Sequence, residues 1–123
     1  MAVHNDVGSW GENIAVEYLI KKGYAIVETN WRLHHYEIDI VARIGTRIVF
    51  VEVKTRSSAA HDPLRAVDRR KMMRMARAAN TYVLSRDVPL EVQFDIITIV
   101  GTKTDYVLEH IADAFLPPLQ TYR

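Results

Sequence analysis

The feature that most constrains the fold is a glycine between two segments rich in Val, Ile and Phe. The segments cover residues 37–43 and 47–55, and Gly45 lies in the short connection between them. Glycine readily takes the positive φ that a tight hairpin turn requires. If Gly45 and Thr46 form a two-residue turn, the two segments pair as an antiparallel hairpin in which Ile44 opposes Arg47.

Counting outward from this turn predicts which charged side chains meet. The opposed pairs are Val41 with Phe50, Asp39 with Glu52, and Glu37 with Lys54, and all six share one face because side chains alternate with period two. Opposed Cβ atoms lie roughly 4.5–5.5 Å apart, so the two acids Asp39 and Glu52 would repel each other. A divalent cation offsets such repulsion, and Mg²⁺ accepts one or two carboxylates. The alternative is a ladder of exposed salt bridges on a solvated face.

The remaining pattern predicts a mixed α/β fold. The predicted elements are a helix over 11–22 that ends at Gly23, a strand over 24–33, a loop over 57–63, a helix over 64–86, and strands over 91–100 and 105–111. We expect a single domain over residues 1–123, with 111–123 as a C-terminal tail packed over the core.

Composition limits the class of protein. With 49% hydrophobic residues the chain can form one sizeable core, and the absence of cysteine excludes disulfides, thiolate zinc sites and cysteine nucleophiles. Net charge is only +1, so local charge patterning decides whether nucleic acid is a partner. Neither a signal peptide within residues 1–10 nor a membrane-spanning segment is evident, which predicts a soluble, cytoplasmic protein.

The first helix carries a further candidate ligand. Glu12 precedes Val16 by four residues and Leu19 by seven, which places it on the apolar side of the helix. We expect its carboxylate to point towards the sheet and to share a metal, or the water shell of a metal, with Asp39 and Glu52. The alternative is an N-terminal carboxylate that the helix dipole favours.

The second long helix is strongly basic. Its apolar stripe is predicted to face the sheet and consists of Met72, Met75, Ala76, Ala79, Tyr82 and Val83. Arg70, Arg74 and Arg77 fall opposite this stripe, so they form either a solvated face or a surface for the phosphate backbone. Further candidate nucleic-acid contacts are Thr55, Arg56 and Lys71, although Thr55 and Arg56 are as well explained as a strand-end cap.

Two other groups of polar residues are assigned local roles. His34 and His35 are adjacent, so on a strand they would point to opposite faces and would not chelate one metal together. Contact of one of them with a phosphate is the alternative. Asp95 lies among apolar strand residues, where we expect it to hydrogen-bond to the backbone or to an arginine.

These residues together resemble a nuclease motif. Glu12 on a first helix, Asp39 on one strand and Glu52-Val53-Lys54 on the next are similar to the PD-(D/E)xK nuclease superfamily, with Ile38-Asp39 in place of the Pro-Asp pair. The chain also resembles the YraN-like family of small bacterial proteins. The matching segments are Gly11-Glu12, Gly23-Tyr24, Asn30-Trp31-Arg32, 37–42, 50–56, Phe94-Asp95, His110-Ile111 and Ala114-Phe115.

The resemblance implies a restriction endonuclease-like fold, with a mixed central sheet of about five strands flanked by helices. It implies a metal-dependent nuclease for DNA, in which Mg²⁺ or Mn²⁺ is held by Asp39, Glu52, Glu12 and the Val53 carbonyl. Lys54 would assist the attacking water, and the catalytic residues would be Asp39, Glu52, Lys54 and Glu12. A homodimer is compatible with cutting two strands. The competing hypothesis is a non-catalytic DNA-binding or protein-interaction module on the same fold.

Overall fold

The computed structural model describes residues 6–57, 69–86 and 90–115. Its elements are α1 (Asp6–Lys21), β1 (Ala25–Leu33), β2 (Tyr36–Ile44), β3 (Arg47–Arg56), α2 (Arg69–Arg86), β4 (Glu91–Thr102) and β5 (Asp105–Ile111). The start of α1 lies five residues before the predicted start at residue 11. Gly8 and Gly11 are poor helix formers and concealed this first turn in the sequence pattern.

The five strands form one mixed sheet in the order β1-β2-β3-β4-β5. Neighbouring strands are antiparallel except for the central pair β3 and β4, which is parallel. Parallel strands require a crossover connection, and α2 lies within the segment that joins β3 to β4. The predicted α/β class, with a mixed sheet of about five strands flanked by helices, is confirmed.

The hairpin forms as predicted near its turn and departs from the prediction further out. Gly45 has a φ of 58°, and the register runs from Ile44↔Arg47 to Ile40↔Val51. The predicted pairs Asp39↔Glu52 and Glu37↔Lys54 do not form. Beyond Ile40, β2 stays paired with β1 while β3 stays paired with β4, so the two strands of the hairpin diverge.

Both faces of the sheet are covered. On one face α2 packs against a cluster that includes Trp31, Val41, Phe50, Tyr82 and Phe94. On the other face α1 packs against a cluster that includes Ala15, Leu19, Ile40, Val49 and Ile97. The middle of β3, residues 48–51, is at most 2% exposed, which confirms that this strand is buried on both sides.

The predicted stripe of α2 faces the sheet, with Ala76, Ala79 and Tyr82 buried and Met75 and Val83 packed against the same cluster. Ala78 is also buried and extends the stripe by one position. Residues 64–68 of the predicted helix lie outside the described residues.

The start of the predicted tail packs on the core. The N–H of Ala114 donates to the carbonyl of Phe94 at 2.7 Å, and the ring of Phe115 stacks on that of Phe94 at 4.8 Å. Residues 116–123 of the tail lie outside the described residues, so a single domain over the whole chain stays a prediction. Within the described ranges, no helix has the length and apolar character needed to cross a membrane.

Candidate functional site

A pocket of about 380 Å³ lies between α2 and the sheet, where β2 diverges from β3. At this point the Asp39 carboxylate reaches across to β3, where its Oδ2 accepts the N–H of Val53 at 2.8 Å. A side-chain acceptor thus takes the place of a backbone acceptor where the hairpin pairing stops. The pocket is lined by His35, Glu37, Asp39, Glu52, Val53, Lys54, Lys71, Arg74 and Met75.

Irregular backbone surrounds Asp39. Ile38 and Ile40 are two residues apart on β2, yet Ile38 packs in the cluster beneath α2 and Ile40 in the cluster beneath α1. Side chains therefore do not alternate regularly across Asp39. On the paired strand β1, Asn30 has a φ of 53°, which a non-glycine residue seldom adopts. The local irregularity lets Asp39 point into the gap between strands.

The environment of Asp39 disfavours its charged form. Burial, followed by the negative charge of Glu52, raises the pKa of Asp39 to about 7, from an ordinary value of 3.8. The N–H of Val53 acts in the opposite direction, and the charges of Glu12 and Glu37 raise the pKa further. Such a site gains stability from any cation that neutralises the carboxylates.

Glu52 is held by two lysines. Its Oε2 lies 2.7 Å from Nζ of Lys71 on α2 and 4.0 Å from Nζ of Lys54 on its own strand. The side chain of Glu52 is only 15% exposed, and those of Lys71 and Lys54 are 25% and 34% exposed. The closer pair is therefore a partly buried ion pair that joins α2 to β3.

Lys54 is also perturbed. Burial, followed by the positive charge of Lys71, lowers the pKa of Lys54, while Glu52 opposes this shift. A lysine with a lowered pKa gives up its proton more readily than an ordinary lysine, which suits a role beside a water molecule.

Glu12 is not among the residues that line the pocket, but the negative charges of Glu37 and Glu52 in that lining act on it. It is half-buried on α1, which packs on the opposite face of the sheet from α2. Burial raises the pKa of Glu12, and a hydrogen bond with the side chain of Asn30 opposes that shift. Its charge still acts on Asp39.

The predicted ligand set is thus brought together only in part. Among the residues that the structure describes, no three Asp, Glu or His side chains converge closely enough to hold a metal ion. The structure brings Asp39, Glu52, Val53 and Lys54 to one pocket, while Glu12 lies outside its lining and interacts with Asp39 and Glu52 through its charge.

The three candidate nucleic-acid contacts have different positions. Thr55 packs against α1 at Gly11, so closely that a Cβ added at Gly11 would collide with the Thr55 hydroxyl. Arg56 is half-buried at the end of β3. Only Lys71 lines the pocket.

Sequence reasoning missed part of the rim of the pocket. The sequence pattern puts Arg74 opposite the apolar stripe with Arg70 and Arg77, but Arg74 lines the pocket together with Lys71 and Met75. The signal lay in the helical spacing, because Lys71, Met75, Ala78 and Tyr82 follow one another at intervals of four, three and four. The stripe thus extends back to Lys71, and Arg74 borders it.

The turn between β1 and β2 supplies the opposite rim. His34, with a φ of 59°, and His35, which lines the pocket, form this turn between the strands and do not belong to either strand.

Asp95 belongs to a separate, buried network. It is fully buried, and its carboxylate accepts hydrogen bonds from the Tyr24 hydroxyl, the Gln93 amide and the N–H of Asp113. Nε2 of His110 lies 2.7 Å from the same carboxylate. The backbone bond was predicted, and the side-chain partners are these residues rather than an arginine. The network connects the segment between α1 and β1, strands β4 and β5, and the turn that follows β5.

Comparison with known proteins identifies the family. The model of the Uncharacterised protein family UPF0102 matches residues 11–99, a range that includes all nine residues of the pocket. A UPF0102 protein of Flavobacterium psychrophilum is 47% identical over 94% of this chain and 98% of its own. UPF0102 proteins of Bacteroides thetaiotaomicron and Parabacteroides distasonis are 47% and 44% identical, over 97% and 96% of this chain and 99% and 98% of their own. The chain belongs to the UPF0102 family, the YraN-like family that its motifs resemble.

Proposed function

We propose that this protein is a divalent-metal-dependent nuclease of the PD-(D/E)xK type, which hydrolyses phosphodiester bonds of DNA in the cytoplasm. One observation carries the proposal: the divergence of β2 from β3 places Asp39, Glu52, the Val53 backbone and Lys54 around a single pocket. These residues are all in the set that the resemblance to the nuclease superfamily implies, which also includes Glu12. Branched DNA and repair intermediates are the substrates to examine first.

The donor set fits a hard divalent cation. Mg²⁺ binds through oxygen, commonly uses one or two carboxylates, and keeps the remaining positions for water and substrate phosphate. Asp39 and Glu52 supply two carboxylates, and their mutual repulsion contributes to the raised pKa of Asp39. The two ammonium groups beside Glu52 show that this part of the pocket attracts positive charge. Mg²⁺ and Mn²⁺ both suit such oxygen ligands.

The residues of the pocket would divide the chemistry of hydrolysis. A cation held by Asp39 and Glu52 would stabilise the negative charge that develops on the phosphate. Lys54 would orient the attacking water and accept or return a proton, as its lowered pKa favours. The water would give up one proton as it attacks phosphorus, the bond from phosphorus to the leaving oxygen would break, and that oxygen would take up one proton. Glu12 would act on Asp39 through its charge.

A non-catalytic DNA-binding module is the second candidate. The ion pair between Lys71 and Glu52 favours it, because a lysine already neutralises one of the two carboxylates. Arg69, Arg70, Arg74 and Arg77 are exposed on the same helix and offer a surface for the phosphate backbone.

The two candidates are separated by cleavage assays with matched variants. Linear, flapped and four-way-junction DNAs are incubated with Mg²⁺ or Mn²⁺ and the wild-type protein, Asp39→Asn or Lys54→Met. The matched controls are Glu109→Gln and Lys103→Met, which remove the same charges at exposed positions. We expect wild type and both controls to cleave, and the two pocket variants to lose about 100-fold or more of the rate.

Two results would decide against the enzyme. DNA binding without cleavage in either metal would support the module, and cleavage by Asp39→Asn at the wild-type rate would locate the activity elsewhere or in a contaminant.

We also propose a homodimer, because cutting both strands of a duplex calls for two sites. Tyr106 and Val107 are 40% and 66% exposed on β5, which forms one edge of the sheet, and are the candidates for its interface. Size-exclusion chromatography coupled to light scattering measures the molar mass of the protein in solution. A dimer that Val107→Lys converts to a monomer is the expected result, and a wild-type monomer at assay concentrations would contradict it.

A further inference from the structure

The ion pair between α2 and β3 bears on how the proposed metal site is used. We infer that Lys71 is a resident counter-ion of Glu52, which a divalent cation displaces and which then binds a phosphate oxygen of the DNA. The inference rests on the proposed function, since it concerns the same pocket. It gives Lys71 two successive partners and couples metal binding to substrate binding.

The ammonium of Lys71 occupies one oxygen of the Glu52 carboxylate, Oε2. Nζ of Lys71 lies 2.7 Å from Oε2 of Glu52, a distance typical of a charge-assisted hydrogen bond. A Mg²⁺ ion would approach a carboxylate oxygen to about 2.0–2.1 Å. Nζ of Lys54 approaches the same oxygen at 4.0 Å, so this atom already faces two positive groups. A divalent cation that binds Oε2 would therefore compete with the ammonium of Lys71 for that oxygen.

The lysine can withdraw without movement of the helix. Its ammonium is carried on a flexible four-carbon stem, whose rotation moves the charge by several ångströms. The side chain is 25% exposed, so one side of it already meets solvent. Arg74, one turn further along α2, and His35, on the β1–β2 turn, line the same pocket. A phosphate that enters the pocket therefore meets Lys71, Arg74 and His35, which all line it.

The predicted signature is that removal of Lys71 has opposite effects on two ligands. Mn²⁺ alone is titrated by electron paramagnetic resonance of the free ion, and duplex DNA is titrated by fluorescence anisotropy in Ca²⁺ over a range of salt concentrations. For Lys71→Met, we expect Mn²⁺ to bind about tenfold more tightly. This change lies between those expected for loss of an exposed and of a buried ion pair, because the pair of Lys71 with Glu52 is partly buried. DNA should bind more weakly, and the slope of log K against log salt should fall in magnitude by about 0.9, the loss of one phosphate contact.

Arg74→Met is the matched control, since it removes one positive charge from the same pocket at a residue that lies further along α2. We expect it to weaken DNA binding in the same way but to change Mn²⁺ affinity much less. Lys71→Gln repeats the test with a polar side chain, in case methionine impairs folding. Equal tightening of Mn²⁺ in Arg74→Met would show that the pocket's overall charge, not direct occupation of Glu52, opposes the metal, and would overturn the inference.

The outcomes also separate this inference from the proposed nuclease. If Lys71→Met and Lys71→Gln bind Mn²⁺ no more tightly than wild type, or if neither weakens DNA binding, the inference is overturned even where wild type cleaves DNA. If both variants show the opposite effects on the two ligands while no DNA is cleaved, the inference stands and the nuclease fails.

Discussion

Asp39→Asn should stabilise the metal-free protein, and most strongly at alkaline pH. The variant replaces a carboxylate whose pKa is raised to about 7, chiefly by burial and then by Glu52. Asparagine keeps a carbonyl oxygen that can accept the N–H of Val53, so the hydrogen bond at 2.8 Å is retained. Only the unfavourable charge is removed.

The magnitude follows from the linkage between pKa and stability. In the unfolded chain Asp39 ionises with a pKa of 3.8, and in the folded protein with a pKa of about 7. The folded state therefore retains the proton longer, and wild-type stability falls as pH rises through this window. At about 1.36 kcal/mol per pKa unit, the loss reaches roughly 4 kcal/mol at pH 8 as an upper bound and less than half of that at pH 5.

Urea unfolding in the presence of EDTA, at pH 5 and pH 8, measures the effect. The free energy of unfolding of Asp39→Asn should exceed that of wild type at pH 8, and the excess should shrink at pH 5. Glu109→Gln, at an exposed position, should show almost no difference at either pH. A difference from wild type that is the same at both pH values, or a loss of stability at pH 8, would refute the reasoning, because it would show that ionisation of Asp39 does not destabilise the fold.

Three further predictions concern the site and its support. Mn²⁺ affinity should fall as pH drops below 7, since a proton on Asp39 competes with the metal, and titrations at pH 6 and 8 that agree would contradict this. Gly11→Ala should lower the free energy of unfolding by about 1–3 kcal/mol, because the added Cβ meets the Thr55 hydroxyl. Adding Thr55→Ala should recover much of this loss in urea unfolding. Asp95→Ala should cost about 3–5 kcal/mol in urea unfolding, since it leaves Gln93 and other buried donors without their acceptor; a loss below 1 kcal/mol would show that water replaces the carboxylate.

The hairpin register could be predicted because its determinants are local. Gly45 and the two-residue turn fix which residues pair first, and the pairing follows to Ile40↔Val51. The point at which pairing ends could not be predicted in the same way. It depends on the pairing of β2 with β1 and of β3 with β4, and on the left-handed φ of Asn30, a residue distant in sequence from β3.

The position of Lys71 shows a second limit. Helical spacing places it on the line of Met75 and Tyr82, so its direction was readable from the sequence. Its partner was not, because the crossover that brings α2 over the end of β3 is a property of the whole sheet. The same holds for Glu12: its place on the apolar side of α1 could be read from the sequence, but its interaction with Asn30 depends on how α1 packs on the sheet. Its role as a metal ligand stays a prediction.

Direct observation of Mn²⁺ in crystals of this protein would test the central claim, that the carboxylates of Asp39 and Glu52 together hold a divalent cation. Anomalous diffraction from a Mn²⁺-soaked crystal should show a peak within about 2.5 Å of an oxygen of each carboxylate, with Nζ of Lys71 moved away from Glu52. A crystal saturated with Mn²⁺ that shows no peak between these residues, with Lys71 still bound to Glu52, would contradict the account.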